Sequence, residues 1–534
     1  MTHRSFVLAC LAPLALVTTA FFLLPMGRLM LVGATGPHGL AGYLDIVLEP
    51  RYRATLINTV VLAAATTLAT MVIATISGMF LERHRFPGRS ILIAMLTFPL
   101  AFPGVVIGFL IILLAGRQGV IGDLTQILTG EKIVFAYSIW GLFLGYLYFS
   151  IPRVILTIMA AVQKLDPGLE EAARSLGAGP WAVQRDVVLP ALGPAFVASG
   201  AIAFATAMGA FGTAFTLATN IDVLPMLIYT EFTLAANFAT AASLSIGLGL
   251  ISWAILRYRA HSPAAPWRRR ADAMRDRLIF IAQLSFTLLV AAFLVVPALL
   301  SISAGITANY FRGISSGVTL QWVAQVWELY ADTIALSFLI AFATLGATLV
   351  IGVPAAYALH VRGGTLSRVT EEVVTLPLAI PGMAIALALL LTYGGFGGFR
   401  RSWMFILVGH VVFTLPFMLR SVMAVFATID VGTLDEGAAS LGASPMRRFI
   451  DVIVPNAMPG IVAGSLMVVT LSLGEFNLTW MLHTPLTKTL PVGLADSYAS
   501  MRLEVASAYT LIFFIMIVPL LVAMQLVAGK EQRA

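Results

Sequence analysis

Cysteine, charge and clustered histidine are all scarce in this chain of 534 residues. A single cysteine, Cys10, excludes a disulfide framework and any zinc or iron–sulfur centre built on thiolates. Charged residues make up 11% of the chain, against about 25% in an average soluble protein. The seven histidines (3, 38, 84, 261, 360, 410 and 483) are scattered, with no HxxxH pair to hold a metal on one helix face. No GxxxxGK[ST] loop is present to cradle nucleotide phosphates; Gly529-Lys530 stands without the rest of that pattern. No Ser/His/Asp set and no paired carboxylates stand out either. Catalysis, ATP hydrolysis included, is not expected of this chain, and no cofactor is called for.

What is present is apolar surface. Hydrophobic residues make up 59% of the chain, and its mean hydropathy is +0.95. A compact soluble protein could not hide that much, so most of the surface must face lipid. A span needs about 20 apolar residues. Candidates lie near 5–27, 54–81, 90–115, 135–160, 193–218 and 237–256, then near 278–303, 331–359, 369–393, 403–427, 459–483 and 506–528. The reading is all-α and polytopic, with about 12 transmembrane helices. The stretch from Phe6 to Met26 has one basic residue before it and is too long for a signal-peptide core, so it is read as a retained first helix.

The net charge of +7 is concentrated between Arg257 and Arg277, where seven Arg face only Asp272 and Asp276. This segment, with Pro263 and Pro266, reads as a cytoplasmic loop obeying the positive-inside rule rather than as a nucleic-acid site. Placing it in the cytoplasm puts 22 of the 32 Lys and Arg on that side, Arg153 among them. Both termini are then cytoplasmic.

The two halves repeat. Glu171-Ala-Ala-Arg-Ser-Leu-Gly177 matches Glu436-Gly-Ala-Ala-Ser-Leu-Gly442 at an offset of 265, and Leu189-Pro190 matches Val454-Pro455 at the same offset. Pro99-Leu-Ala-Phe-Pro103-Gly104 matches Pro377-Leu-Ala-Ile-Pro381-Gly382 at 278, and Leu224-Pro225 matches Leu490-Pro491 at 266. Six spans per half make the repeats parallel. The expected organisation is a first repeat over 1–256, a basic linker over 257–277 and a second repeat over 278–534.

Between the fourth and fifth spans of each half (164–190 and 429–455) lies a polar, helix-prone stretch. Asp166-Pro167 predicts an N-cap followed by Pro at the first helical position. Thr433 and Glu436 predict a capping box, and Gly177 and Gly442 predict left-handed C-terminal residues. A second short helix then leads to the next span. Glu to Gly is six residues and Gly to Pro thirteen in both copies.

This spacing resembles the EAA motif of permease subunits in bacterial ABC importers: Glu-Ala-Ala, three residues, Gly, nine residues, an aliphatic, any residue, Leu-Pro. The first copy fits throughout, with Val187 as the aliphatic. The second has Val452 there and departs at Gly437 and Val454. Over nearly the whole length the chain resembles a fused two-repeat permease of the binding-protein-dependent type I importers, in the polyamine, iron, thiamine and phosphonate subgroup. The resemblance implies a MetI-like permease fold in the inner membrane. It also implies two copies of an ABC ATPase as partners and a periplasmic or lipid-anchored substrate-binding protein. Carried over by position, the ATPase-coupling residues are Glu171, Ala172, Ala173 and Gly177, with Glu436, Gly437, Ala438 and Gly442.

Glu475 is expected inside the eleventh span, where an isolated carboxylate is costly, and so is a candidate for a translocation path; Asn477 and Asn220 are weaker candidates of the same kind. Glu475 either lines that path and attracts a cation or is hydrogen-bonded into the packing. A secondary carrier of the major-facilitator type also has two parallel six-span halves, but such carriers keep more ionisable residues inside than Glu475 and His410.

Overall fold

The computed structural model describes residues 3–218, 221–256, 273–500 and 502–531. It is all helical apart from one isolated bridge between Thr307 and Val318. The basic segment 257–272 and Asn220 lie outside the described residues. Among those described, nine helices are long and apolar enough to cross a membrane, or up to 12 if each of three bent pairs counts as one span. The chain is therefore an all-α, polytopic membrane protein.

Helices dominate because lipid offers backbone groups no partner, so each span must satisfy its own. Hydroxyl side chains obey the same constraint by bonding back along their helix, as Thr59 Oγ1 does to the Thr55 carbonyl (2.7 Å) and Thr348 Oγ1 to the Thr344 carbonyl (2.9 Å).

Several expected spans are broken. The 90–115 stretch divides into Arg89–Leu100 and a helix starting at Gly104, and the 369–393 stretch bends by 100° between Gly364–Leu378 and Gly382–Tyr393. Pro103 and Pro381 cause both breaks. Each lacks an N–H, adopts extended geometry (ψ 149° and 138°) and caps the helix that follows. The 193–218 and 459–483 stretches likewise end early, at Met208 and Gly474, before short helices Phe211–Leu217 and Asn477–Leu482. Hydropathy averages over such breaks, because both sides remain apolar.

The chain folds as two compact units, one of residues 1–46, 228–249 and 304–534, the other of 47–227 and 250–303. In each, the leading span comes from the opposite half of the sequence. In the first, Phe6 packs on Tyr357 and Phe449 (ring centroids 6.3 and 5.9 Å), and Tyr393 Oη donates to the Ala20 carbonyl. In the second, Tyr148 Oη donates to the Leu294 carbonyl, and Phe280 packs on Phe80 (5.4 Å).

The repeat is visible in contacts as well as in letters. Thr59 Oγ1 accepts the Leu224 N–H (2.8 Å) in one unit, and Ser337 Oγ accepts the Leu490 N–H (2.7 Å) in the other. These pairs stand at the same offsets, 278 and 266, as the surrounding sequence matches.

Candidate functional site

The polar stretches each form a short helix, a glycine turn and a second helix. The leading helices are Pro167–Ser175 and Val431–Ser440. Asp166 caps the first, its carboxylate accepting the Gly168 N–H at 2.8 Å. The second begins earlier than the expected capping box. Asp430, not Thr433, is its cap, accepting the Thr433 N–H (3.1 Å) and the Thr433 hydroxyl (2.6 Å). A carboxylate at the positive end of the helix suits that position better than a neutral hydroxyl. The Thr433 hydroxyl and N–H hold the Asp430 carboxyl below its ordinary range.

Both leading helices end alike. Ala178 N–H bonds to the Ala173 carbonyl (3.0 Å) and Gly177 N–H to Arg174 (2.8 Å); Ala443 bonds to Ala438 (3.1 Å) and Gly442 to Ala439 (2.9 Å). This is the two-bond Schellman pattern, which needs a left-handed residue at its fifth position. Gly177 and Gly442 supply it at φ 87° and 81°.

The second helices then enter the membrane through a wide turn. Gln184–Val188 and Arg448–Ile453 are π-helical, and the chain bends by 63° and 74° just beyond them. Pro190 and Pro455 follow, and each removes a donor from the ordinary ladder.

Exposure sorts the residues of each leading helix in the same way. Glu171 and Glu436 point to solvent, as do Ala172 and Gly437; Ala173 and Ala438 are half-buried, and Gly442 is more open than Gly177. Beside them stand apolar side chains that the motif did not single out. Leu176 is 55% exposed and Leu441 89%, while Trp181 and Met446, also 265 apart, are largely exposed. In the sequence both leucines stand immediately before the motif glycine. Each element thus presents a carboxylate, a small-residue patch and an apolar rim, suited to receiving another protein.

The candidate path residues are placed differently. Glu475 sits at the break between Met458–Gly474 and Asn477–Leu482, is 8% exposed, and accepts the Leu478 N–H through Oε1 (2.7 Å). It holds the start of the short helix. Asn477 is that helix's first residue and half-buried. His410, fully buried, straddles the same break, with Nδ1 2.8 Å from Ser472 Oγ and Nε2 2.7 Å from Thr479 Oγ1. At the corresponding place in the other unit, Tyr146 Oη donates to the Ala210 carbonyl (3.3 Å).

Arg153 corrects the charge count. It lies inside the helix Ile139–Gln163, ten residues before its end, rather than in a cytoplasmic loop. Its guanidinium rests on the Phe149 ring (3.8 Å) with no carboxylate in ion-pair reach among the described residues. It shares a small cavity with Ser150, Thr157 and Ser199, and the buried Ser150 hydroxyl has no partner there. No group of three or more His, Cys, Asp or Glu able to hold a metal occurs among the described residues.

The family model described as "Binding-protein-dependent transport system inner membrane component" matches the chain twice, over residues 70–262 and 348–532. The "Probable ABC transporter permease protein y4fN" of Sinorhizobium fredii is 27% identical over 519 residues, 91% of this chain and 89% of that protein. The "Molybdenum transport system permease protein ModB" of Escherichia coli is 33% identical over 222 residues, 40% of this chain and 96% of that protein. The "Sulfate transport system permease protein CysT" of Salmonella typhimurium is 33% identical over 209 residues, 38% of this chain and 74% of that protein. A bacterial alginate ABC transporter chain, solved with a pentasaccharide-bound periplasmic protein, is similar at a TM-score of 0.41 and 17% identity, over 47% of this chain and 92% of that chain.

Proposed function

The chain belongs to the family of inner membrane components of binding-protein-dependent transport systems, and from that premise we propose how it is coupled to its partners. It is a multi-pass permease subunit of an ABC importer, with an ATPase subunit, a substrate-binding protein and the bilayer as its associates. Its part is not catalytic; hydrolysis belongs to the ATPase subunit. A secondary carrier is set aside by the family match. In the proposed arrangement the helix–Gly–helix elements are coupling loops, each docking on one ATPase copy. One chain therefore serves two ATPase subunits. Both termini and the 257–277 segment face the same cytoplasmic side.

One observation carries this reading. Two elements 265 residues apart share the same Schellman turn and the same exposed face of Glu171 or Glu436 with Leu176 or Leu441. Mass measurement of the solubilised complex tests the stoichiometry. One copy of this chain with two ATPase subunits is expected, and a complex holding two copies would refute it. Single-cysteine labelling in a Cys10→Ser background tests the orientation. Residues near 268 should react only from the cytoplasm, and exposed residues near 122 and 312 only from outside.

The cargo is a small solute delivered by the binding protein, with polyamine, ferric iron, thiamine and phosphonate as the candidates raised by the subgroup resemblance. Two relatives are named for molybdenum and sulfate. Glu475, occupied in holding Leu478, gives little support to a cation path, whereas the lone Arg153 guanidinium in mid-span favours an anion such as a phosphonate. Uptake assays with Arg153→Gln and Glu475→Gln separate the two. An anionic cargo should be lost with the first variant and retained with the second; the reverse result would restore the cation reading.

A further inference from the structure

The residue before each motif glutamate is also acidic, Glu170 and Asp435, and these two face inward where Glu171 and Glu436 face outward. Glu170 pairs with Arg83, the last residue of the spanning helix Pro50–Arg83, and Arg174 approaches its other oxygen at 3.7 Å. Asp435 is buried. Arg448 Nη1 lies 2.7 Å from its Oδ2, and Tyr357 Oη donates to its Oδ1 at 3.2 Å. Tyr357 stands five residues before the end of Gln321–Arg362, the spanning helix of the second half that matches Pro50–Arg83. The cations differ and come from different places in the chain. The outcome is the same: the leading helix of each coupling loop is fastened to the end of one particular span.

The far parts of those spans are fastened too. Thr59, on Pro50–Arg83, holds the Leu224 N–H that starts the helix Leu224–Thr233; Ser337, on Gln321–Arg362, holds the Leu490 N–H that starts Leu490–Ala499. At 1.5 Å per residue the two attachments on each rod are about 36 Å and about 30 Å apart. Neither rod is broken between them; Pro354 lies inside the second, whose helix continues through it.

We propose that Glu170 and Asp435 are positioning residues that join the docking helices to these two spans, so that movement imposed at the coupling loops reaches the helices beginning at Leu224 and Leu490. Glu170 and Asp435 do not themselves meet the ATPase. The proposal rests on the docking reading above. The two joints are built to different strengths. The Arg83–Glu170 pair is about one-fifth exposed and therefore open to screening by salt, whereas the Asp435 joint is buried and shared with a tyrosine hydroxyl.

The test uses the full chain, with Cys10→Ser, co-purified with its ATPase subunits in lipid nanodiscs. A single cysteine at the exposed position 234 or 500, near the ends of the two far helices, is labelled with maleimide before and after ATP plus vanadate. Glu170→Gln should shrink the vanadate-dependent change in labelling rate at 234 at least fivefold. Tyr357→Phe, which removes only a hydroxyl, should shrink that at 500 at least twofold. The exchanged pair Arg83→Glu with Glu170→Arg should restore the change at 234, which a simple loss of fold would not allow. Salt at 0.5 M should reduce the change at 234 more than at 500.

Full vanadate-dependent changes in both single variants, failure of the exchanged pair to restore, or no change in the parent complex would each overturn the proposal. The docking reading is judged apart, by ATPase retention in Glu171→Ala and Glu436→Ala; undiminished retention in both would refute it. The joint itself is judged without any ATPase. Arg83→Gln should raise hydrogen exchange across 167–178, and unchanged exchange there would overturn it whatever the docking result.

Discussion

The glycine turn of the second coupling loop offers the most closely calculable perturbation. In Gly442→Val the new Cβ would meet nothing within 4 Å, so there is no steric term to add or subtract. The whole effect is conformational. At φ 81° an L-residue is in the left-handed region, which costs about 1–2 kcal/mol, with a β-branched side chain at the upper end. Escaping that strain means giving up two bonds, Ala443 to Ala438 and Gly442 to Ala439, together worth about 2 kcal/mol net. Strain and bonds are therefore close to balanced, and the turn should open locally while the spans stay folded.

A penalty of about 1–2 kcal/mol lowers the ratio of closed to open turn by about 5- to 30-fold. The Ala443 amide reports that ratio directly. Its hydrogen-exchange protection should fall by this factor, with exchange in the membrane-embedded peptides unchanged. Gly442→Asn, which tolerates the left-handed region, should lose far less. ATPase retention should follow the same order: Gly, then Asn, then Val. Equal protection of the Ala443 amide in the Val variant and the parent would refute the reasoning. So would an Asn variant as impaired as the Val variant, because strain at φ 81° would then not be the cause.

Other substitutions probe neighbouring parts of the argument. Gly437 is exposed with open space at its Cβ, so Gly437→Ala should steady the second docking helix by up to about 1 kcal/mol, read as slower exchange over 431–440; faster exchange would contradict it. His410→Leu deprives the buried Ser472 and Thr479 hydroxyls of their shared partner and should cost about 2–4 kcal/mol in detergent unfolding, more than Tyr146→Phe, which gives up one 3.3 Å bond; the reverse order would count against the bridging role. Arg153→Met forfeits the contact with Phe149 but no longer holds a half-buried cation without a carboxylate partner inside a helix, so stability should stay within about 1 kcal/mol of the parent; a loss above about 3 kcal/mol would reveal a counter-charge. Asp430 has its carboxyl pKa depressed by Thr433, so its capping contribution is complete above the unfolded value of 3.8 and fades only as pH falls through the lower folded one. A spin label at position 440 should keep constant mobility from pH 8 to about 4 and loosen below that; loosening near neutral pH would show another group in control.

The sequence alone determined the solvent, the helical class and both glycine turns. These are local or compositional. Lipid exposure follows from the fraction of apolar residues, a helix N-terminus from Asp166-Pro167, and a left-handed stop from a glycine six residues after a glutamate in an alanine-rich run. Where local signals compete, packing chooses between them. Thr433 and Asp430 are both capping residue types, and Asp430, three residues earlier, takes the role by accepting both the N–H and the hydroxyl of Thr433. The breaks at Pro103, Pro381 and Glu475 escaped a hydropathy reading because apolar residues flank them on both sides. A broken helix is stable in the membrane only where neighbouring protein covers it, and that is a property of packing.

Tertiary structure alone decided which residues meet. Nothing local in Phe6 says that its ring rests on Tyr357 and Phe449, or that the first span of each sequence half packs with the opposite half. Nor does an acidic pair such as Glu170-Glu171 or Asp435-Glu436 say which member faces solvent. Successive residues on a helix point about 100° apart, so the two members of each pair can meet different surroundings. The partners that select the inward member, Arg83 in one unit and Arg448 with Tyr357 in the other, are 87, 13 and 78 residues away along the chain. Spacing in sequence sets a helix face; only the folded chain supplies the charge that the face meets.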